Sequence, residues 1–91
     1  MEKEELNDYL NKPVIIDTAT PLIYIGTLSE IGNSFITLKD VDVHDRRESS
    51  TAKDLYIIEA LKYGTKINRH TVKVVRREIV SISLLSDVVE Y

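Results

Sequence analysis

The sequence predicts a mainly β domain: a small, strongly bent five-stranded antiparallel barrel, preceded by an N-terminal helix and carrying an additional inserted helix. Three observations predict it. Short runs rich in valine, isoleucine, threonine and aromatic residues recur between clusters of turn-forming residues. Gly26 falls inside the second run, where a glycine weakens a strand unless the chain must bend or approach another backbone closely. And 91 residues, 43% hydrophobic and 30% charged, supply material for one domain rather than two.

The elements follow in order. Residues 1–10 read as a helix, because Leu6, Tyr9 and Leu10 share one face, acids fill the first turn and Pro13 stops it. Residues 13–18 are the first strand, and Asp17-Thr18-Ala19-Thr20-Pro21 brings turn chemistry. Residues 22–28 are the second strand and 35–41 the third, joined through the turn Ser29-Glu30-Ile31-Gly32-Asn33-Ser34 into a meander. A polar surface loop starts after His44. Thr51-Ala52-Lys53-Asp54 then resembles a helix cap, and Leu55, Ile58 and Leu61 follow at helical spacing up to Gly64, which predicts a helix over 52–63. The alternation of Leu55, Ile57 and Glu59 with Tyr56 and Ile58 leaves a strand open as the rival. Residues 71–77 and 79–85 read as strands four and five, forming a final hairpin around Arg77-Glu78. The whole of 1–91 is thus one domain, with an insertion at about 45–70.

Composition excludes some functions. No apolar run approaches the roughly 18 residues that suggest a membrane span, and the chain reads as untargeted and cytoplasmic. Without cysteine there is neither a disulfide nor a thiolate metal site. A net charge of -3 argues against a generally cationic nucleic-acid binder, yet Lys62, Lys66, Arg69, Lys73, Arg76 and Arg77 follow one another with no acid between them.

Two blocks of the chain stand out: Pro13-Val14-Ile15-Ile16-Asp17 with Tyr24-Ile25-Gly26-Thr27-Leu28 and Phe35-Ile36-Thr37-Leu38-Lys39-Asp40, and Val74-Val75-Arg76-Arg77-Glu78-Ile79-Val80-Ser81-Ile82. The first, glycine included, resembles the first signature of the Sm/LSm proteins, and the second resembles their second signature. The spacing fits the bacterial Hfq type, and helix and blocks together span about two-thirds of the chain. There are departures. Ile31-Gly32-Asn33-Ser34 lacks the family's loop aspartate and places Ser34 where Hfq has a base-stacking aromatic, and Arg76-Arg77 keeps positive charge without the glycine. The resemblance implies a homo-oligomeric ring in which strand four of one subunit pairs with strand five of the next. Asn33, Ser34, Arg76 and Arg77 would then repeat around a pore and bind single-stranded RNA by charge, stacking and edge hydrogen bonds.

Phe35 and Tyr24 are candidate stacking rings, although aromatics in alternating strands usually belong to the core. The alternative is a scaffold ring that has lost RNA binding and offers Tyr56, Tyr63 and Lys62 of the inserted helix to a protein partner. A third reading takes the alternating Asp40, Asp42 and His44 as metal ligands of a hydrolase, but no fourth ligand is specified, so no metal and no cofactor is assigned. With Gly26, Gly32 and Gly64 isolated there is no phosphate loop or nucleophile elbow, and the chain reads as non-enzymatic.

Overall fold

The computed structural model describes residues 3–47 and 53–89. A short helix, α1 (Lys3–Leu6), continues as a 3-10 turn (Asn7–Tyr9), and the first strand begins at Pro13. Five strands follow: β1 (Pro13–Thr18), β2 (Leu22–Ile31), β3 (Phe35–Asp45), β4 (Arg69–Val75) and β5 (Ile79–Leu84). Between β3 and β4 lies α2 (Lys53–Tyr63), so the helical spacing of Leu55, Ile58 and Leu61 prevails over the rival strand. Gly64 ends it in the left-handed conformation at φ 87°, its N–H bonded to the Ala60 carbonyl at 3.0 Å. Thr51 and Ala52, the start of the expected cap, lie outside the described residues.

All strands join one antiparallel sheet in the order β4-β3-β2-β1-β5. This corrects the expected final hairpin and the expected barrel. Strands β4 and β5 do not pair; β5 returns to β1, and the sheet stays open, with β4 and β5 as its two edges. The link between these opposite edges is a single 3-10 turn, Arg76–Glu78. Even fully stretched, so short a link spans no more than about 14 Å, whereas the edges of a flat five-stranded sheet stand about 19 Å apart. The sheet must curl until its edges converge at that corner. Hydrogen bonds record the convergence: Arg76 N–H donates to the Ser34 carbonyl at 2.9 Å and Ala19 N–H to the Glu78 carbonyl at 2.8 Å, so the turn ties to loops on both sides.

Bulges supply the curl. The β2–β3 register slips at two places. One leaves Asp40 as an extra residue in β3, and the other leaves Ser29 extra in β2. A third slip leaves Val80 extra in β5 opposite β1. Asp40 adopts φ 52°, a left-handed conformation that aspartate tolerates better than most side chains. Gly26 lies opposite this bulge. A Cβ there would come within 3.0 Å of the Lys39 carbonyl oxygen and 3.1 Å of the Val41 side chain, so the close backbone approach expected from the sequence is what the glycine permits.

Each bulge also reverses the inside-outside alternation beyond it. Ile36 and Leu38 face the first core cluster at even positions, and Val41 and Val43 at odd ones, because Asp40 intervenes. That cluster also takes Leu6, Val14, Ile16, Leu28, Ile31 and Val74, with Tyr9 and Leu10 packed against it, so the predicted stripe of the first helix covers one face of the sheet. Ile15, Ile23 and Ile25 point to the other face, where α2 covers them through Ala60, Tyr56 and Ile57. With both faces covered, β1 is buried from Val14 to Ile16. Each such aliphatic side chain contributes on the order of 1.5–3 kcal/mol.

Gly26→Ala should cost about 1–3 kcal/mol, since the added methyl meets backbone that cannot retreat, and Gly64→Ala about 1 kcal/mol, from strain at positive φ alone. Urea midpoints at equal m-value check both; a Gly26→Ala midpoint equal to that of the parent would refute the close approach.

Candidate functional site

The four residues expected to bind RNA do come together. Asn33 and Ser34 occupy the β2–β3 turn, closed by Gly32 N–H donating to the Phe35 carbonyl at 2.8 Å, and Arg76 and Arg77 occupy the turn joining β4 to β5. Asn33, Ser34 and Arg77 are exposed. The Arg76 guanidinium is committed to structure, its Nη1 donating to the Gly32 carbonyl at 2.7 Å and clamping one turn to the other. Phe35, beside this corner, is 46% exposed rather than in the core, whereas Tyr24 packs half-buried against the first cluster, where burial raises its pKa.

The two sheet edges frame the corner. On β4, Arg69 and Lys73 supply charge that discourages indiscriminate strand pairing. Strand β5 carries no charge and no proline, and its bulged Val80 is 66% exposed. Its outer edge therefore presents backbone donors and acceptors beside apolar surface.

A second feature lies on the α2 side of the sheet, a pocket of about 670 Å³ whose lining includes Asp42, His44, Tyr56, Glu59, Tyr63 and Asn68. The Asp40 bulge turns Asp42 and His44 toward α2, with the His44 and Tyr56 rings stacked at 4.0 Å. Asp40 itself is exposed and does not line the pocket, so the expected alternation of Asp40, Asp42 and His44 on one face is broken by the extra residue. Among the described residues no group of three or more histidines or acids could hold a metal ion.

Asn68 acts as a surrogate strand residue. Its Oδ1 accepts from Val43 N–H at 3.0 Å while its Nδ2 donates to the Val43 carbonyl at 3.1 Å and to Asp42 Oδ1 at 3.1 Å. Nothing in the sequence marks this asparagine, whose partners lie far back in the chain. The Tyr56 hydroxyl is buried without a well-formed hydrogen bond, and burial, reinforced by the Asp42 carboxylate, drives its pKa far above the ordinary phenol value. Of the inserted-helix residues expected to meet a partner, Tyr56 thus builds the pocket, while Tyr63 is 80% exposed at its rim and Lys62 is exposed.

No family model matches the chain, and no curated protein matches it by sequence. Its structure is similar to a chain in the crystal structure of the NatC complex bound to CoA, with TM-score 0.57 and 18% identity, covering 92% of this chain and 88% of that one. It is also similar to a chain of the NatC complex bound to Gag peptide and CoA, with TM-score 0.56 and 18% identity over 87% and 89% of the two chains. These findings overturn the Sm/LSm and Hfq-type assignment, and with it the homo-oligomeric ring and the single-stranded RNA partner. The residues behind that resemblance are mostly alternating apolar positions plus one glycine, which a small, sharply bent sheet demands for its own packing. Among the described residues no helix is long and apolar enough to cross a membrane.

At the pocket edge Arg47 grips Asp45, its Nη2 and Nε donating to the carboxylate at 2.9 and 3.2 Å and its backbone N–H at 2.9 Å. Those bonds lower the Asp45 pKa from 3.8 to about 2. The stability this carboxylate contributes is therefore present above its unfolded value of 3.8 and lost as pH falls toward 2. Carboxyl-carbon NMR titration should find Asp45 near the lower value, and Arg47→Ala should return it toward the upper one; an unmoved midpoint in the variant would rule out the Arg47 clamp.

Proposed function

We propose that this chain is a non-catalytic, protein-binding subunit of a multi-subunit acetyltransferase complex. The observation that carries the reading is the structural likeness, over nearly the full length of both chains, to chains of the NatC complex. Two features of the chain itself support it. The sheet has two open edges, and β5 has neither charge nor proline to keep another strand away. Exposed apolar side chains, Phe35 and Val80, lie near the corner where those edges converge. A domain with both sheet faces already covered by its own helices has its edges left for a protein partner, by strand addition or by packing across the corner. The non-catalytic part rests on the lack of any phosphate loop or nucleophile elbow in the sequence.

Co-expressed with the other subunits of an acetyltransferase complex from its own source, the chain should elute with them in one heteromeric particle. Alone, as a 10.4 kDa polypeptide, it should neither bind CoA in calorimetry nor transfer an acetyl group. A chain that stays outside the particle, or that binds CoA unaided, overturns the proposal. Val80→Asp and Phe35→Asp should reduce incorporation at least about tenfold while changing the stability of the free chain by no more than about 0.5 kcal/mol, as expected at exposed positions. Equal incorporation of both variants would remove the edges and corner from the interface.

A further inference from the structure

The pocket between β3 and α2 contains a buried carboxylate with no cation beside it among the described residues and a buried hydroxyl without a well-formed hydrogen bond. Asp42 is 9% exposed, and the groups that meet its carboxylate are neutral: Asn68 Nδ2 at 3.1 Å and the Tyr56 hydroxyl. A carboxylate buried to that extent is normally matched by a cation, because removing its charge from water is costly. Among the described residues the ion pair is Arg47 with Asp45, and Asp42 takes part in none. Beside it the Tyr56 hydroxyl is buried without a well-formed hydrogen bond, set against the Asp42 carboxylate. A buried polar group left unsatisfied in a native structure calls for a ligand or water, and here the Tyr56 hydroxyl shares one cavity with a buried carboxylate that has no cation beside it.

The walls narrow the ligand's chemistry. Tyr56, Tyr63 and the His44 ring stacked on Tyr56 are flat aromatic surfaces, and Glu59 adds a second carboxylate from the α2 side. Lys66 also contributes to the lining, and Asp45 is already neutralised by Arg47, so Asp42 and Glu59 leave the pocket acidic overall. An anion is excluded by that charge. A guanidinium suits all three features: it is planar and stacks on aromatic faces, it presents several N–H donors to two carboxylates, and it gives up hydration more readily than an ammonium.

We infer that this pocket receives an arginine side chain presented by a protein partner, with Asp42 and Glu59 binding the guanidinium and Tyr56 and Tyr63 flanking it. The inference goes beyond the role in an acetyltransferase complex and does not depend on it, since any protein displaying an exposed arginine satisfies the chemistry.

The test uses the full chain alone, labelled with nitrogen-15 and titrated with a blocked Gly-Arg-Gly peptide and with the same peptide carrying citrulline, a neutral analogue of arginine. The arginine peptide should shift amides of residues 42–45 and 56–64 saturably with a millimolar-range Kd, and citrulline should bind at least about tenfold more weakly. Glu59→Gln, at an exposed helical position that leaves the core alone, should weaken the arginine peptide about fivefold, and Tyr63→Ala similarly. Asp42→Asn should abolish saturable binding. Should that variant misfold, the peptide pair and the two helix variants still decide. Equal binding of the two peptides, shifts mapping away from this pocket, or an unchanged affinity in both Glu59→Gln and Tyr63→Ala overturns the inference. Because this readout needs no other subunit, failure of the chain to enter an acetyltransferase complex leaves its outcome separately interpretable.

Discussion

Three residues, Arg76 to Glu78, connect strands that stand at opposite edges of the sheet, and the rest of the structure answers to that short tether. A sheet so constrained cannot lie flat. It bends where single extra residues, Ser29, Asp40 and Val80, break the pairing register, and the tightest part of the bend brings β2 so close to β3 that residue 26 has no room for a side chain. The same tether explains why Arg76 lies against the Gly32 carbonyl: the corner where the edges converge needs a fastener, and a guanidinium can reach the main chain of the neighbouring turn.

Local chemistry was largely legible in the sequence, and long-range pairing was not. All five strands were evident from β-branched runs and turn residues, β1 with its full extent, because those signals act over a few neighbours. Gly26 and Gly64 were read for the physical roles they have, one a close approach and the other a helix end. The partner of β5 was misjudged, since a short link between two runs normally means a hairpin, and only global curvature makes β1 the better neighbour. Strict alternation failed at Asp40 for a related reason: a bulge leaves no residue-type signature when an aspartate can adopt the left-handed conformation itself. Asn68 was invisible, because its value lies in a side-chain amide imitating a peptide opposite Val43, a match between positions far apart in the chain.

The resemblance to ring-forming RNA binders drew on those same local signals. Apolar alternation with a glycine in the second strand reports how sharply a sheet bends, not what the molecule touches. Function has to be sought where the fold leaves something unfinished. Here that means the β5 edge with Val80, the corner with Phe35, and the pocket holding Asp42 and Tyr56, all of them features that a protein surface can complete.

The extra residue at position 40 sets which side chains of the later part of β3 face which way. Were Asp40 drawn into the ladder as an ordinary paired residue, Val41 and Val43 would turn toward α2 and Asp42 and His44 would swing into the hydrocarbon interior. Deleting it would instead leave those four side chains on their present faces, because each would keep its partner on β2, and would forfeit only the local kink. A single unpaired residue therefore supplies curvature without disturbing which side chains line the pocket, so a shortened descendant of this strand would keep the pocket wall and lose the bend beside Gly26.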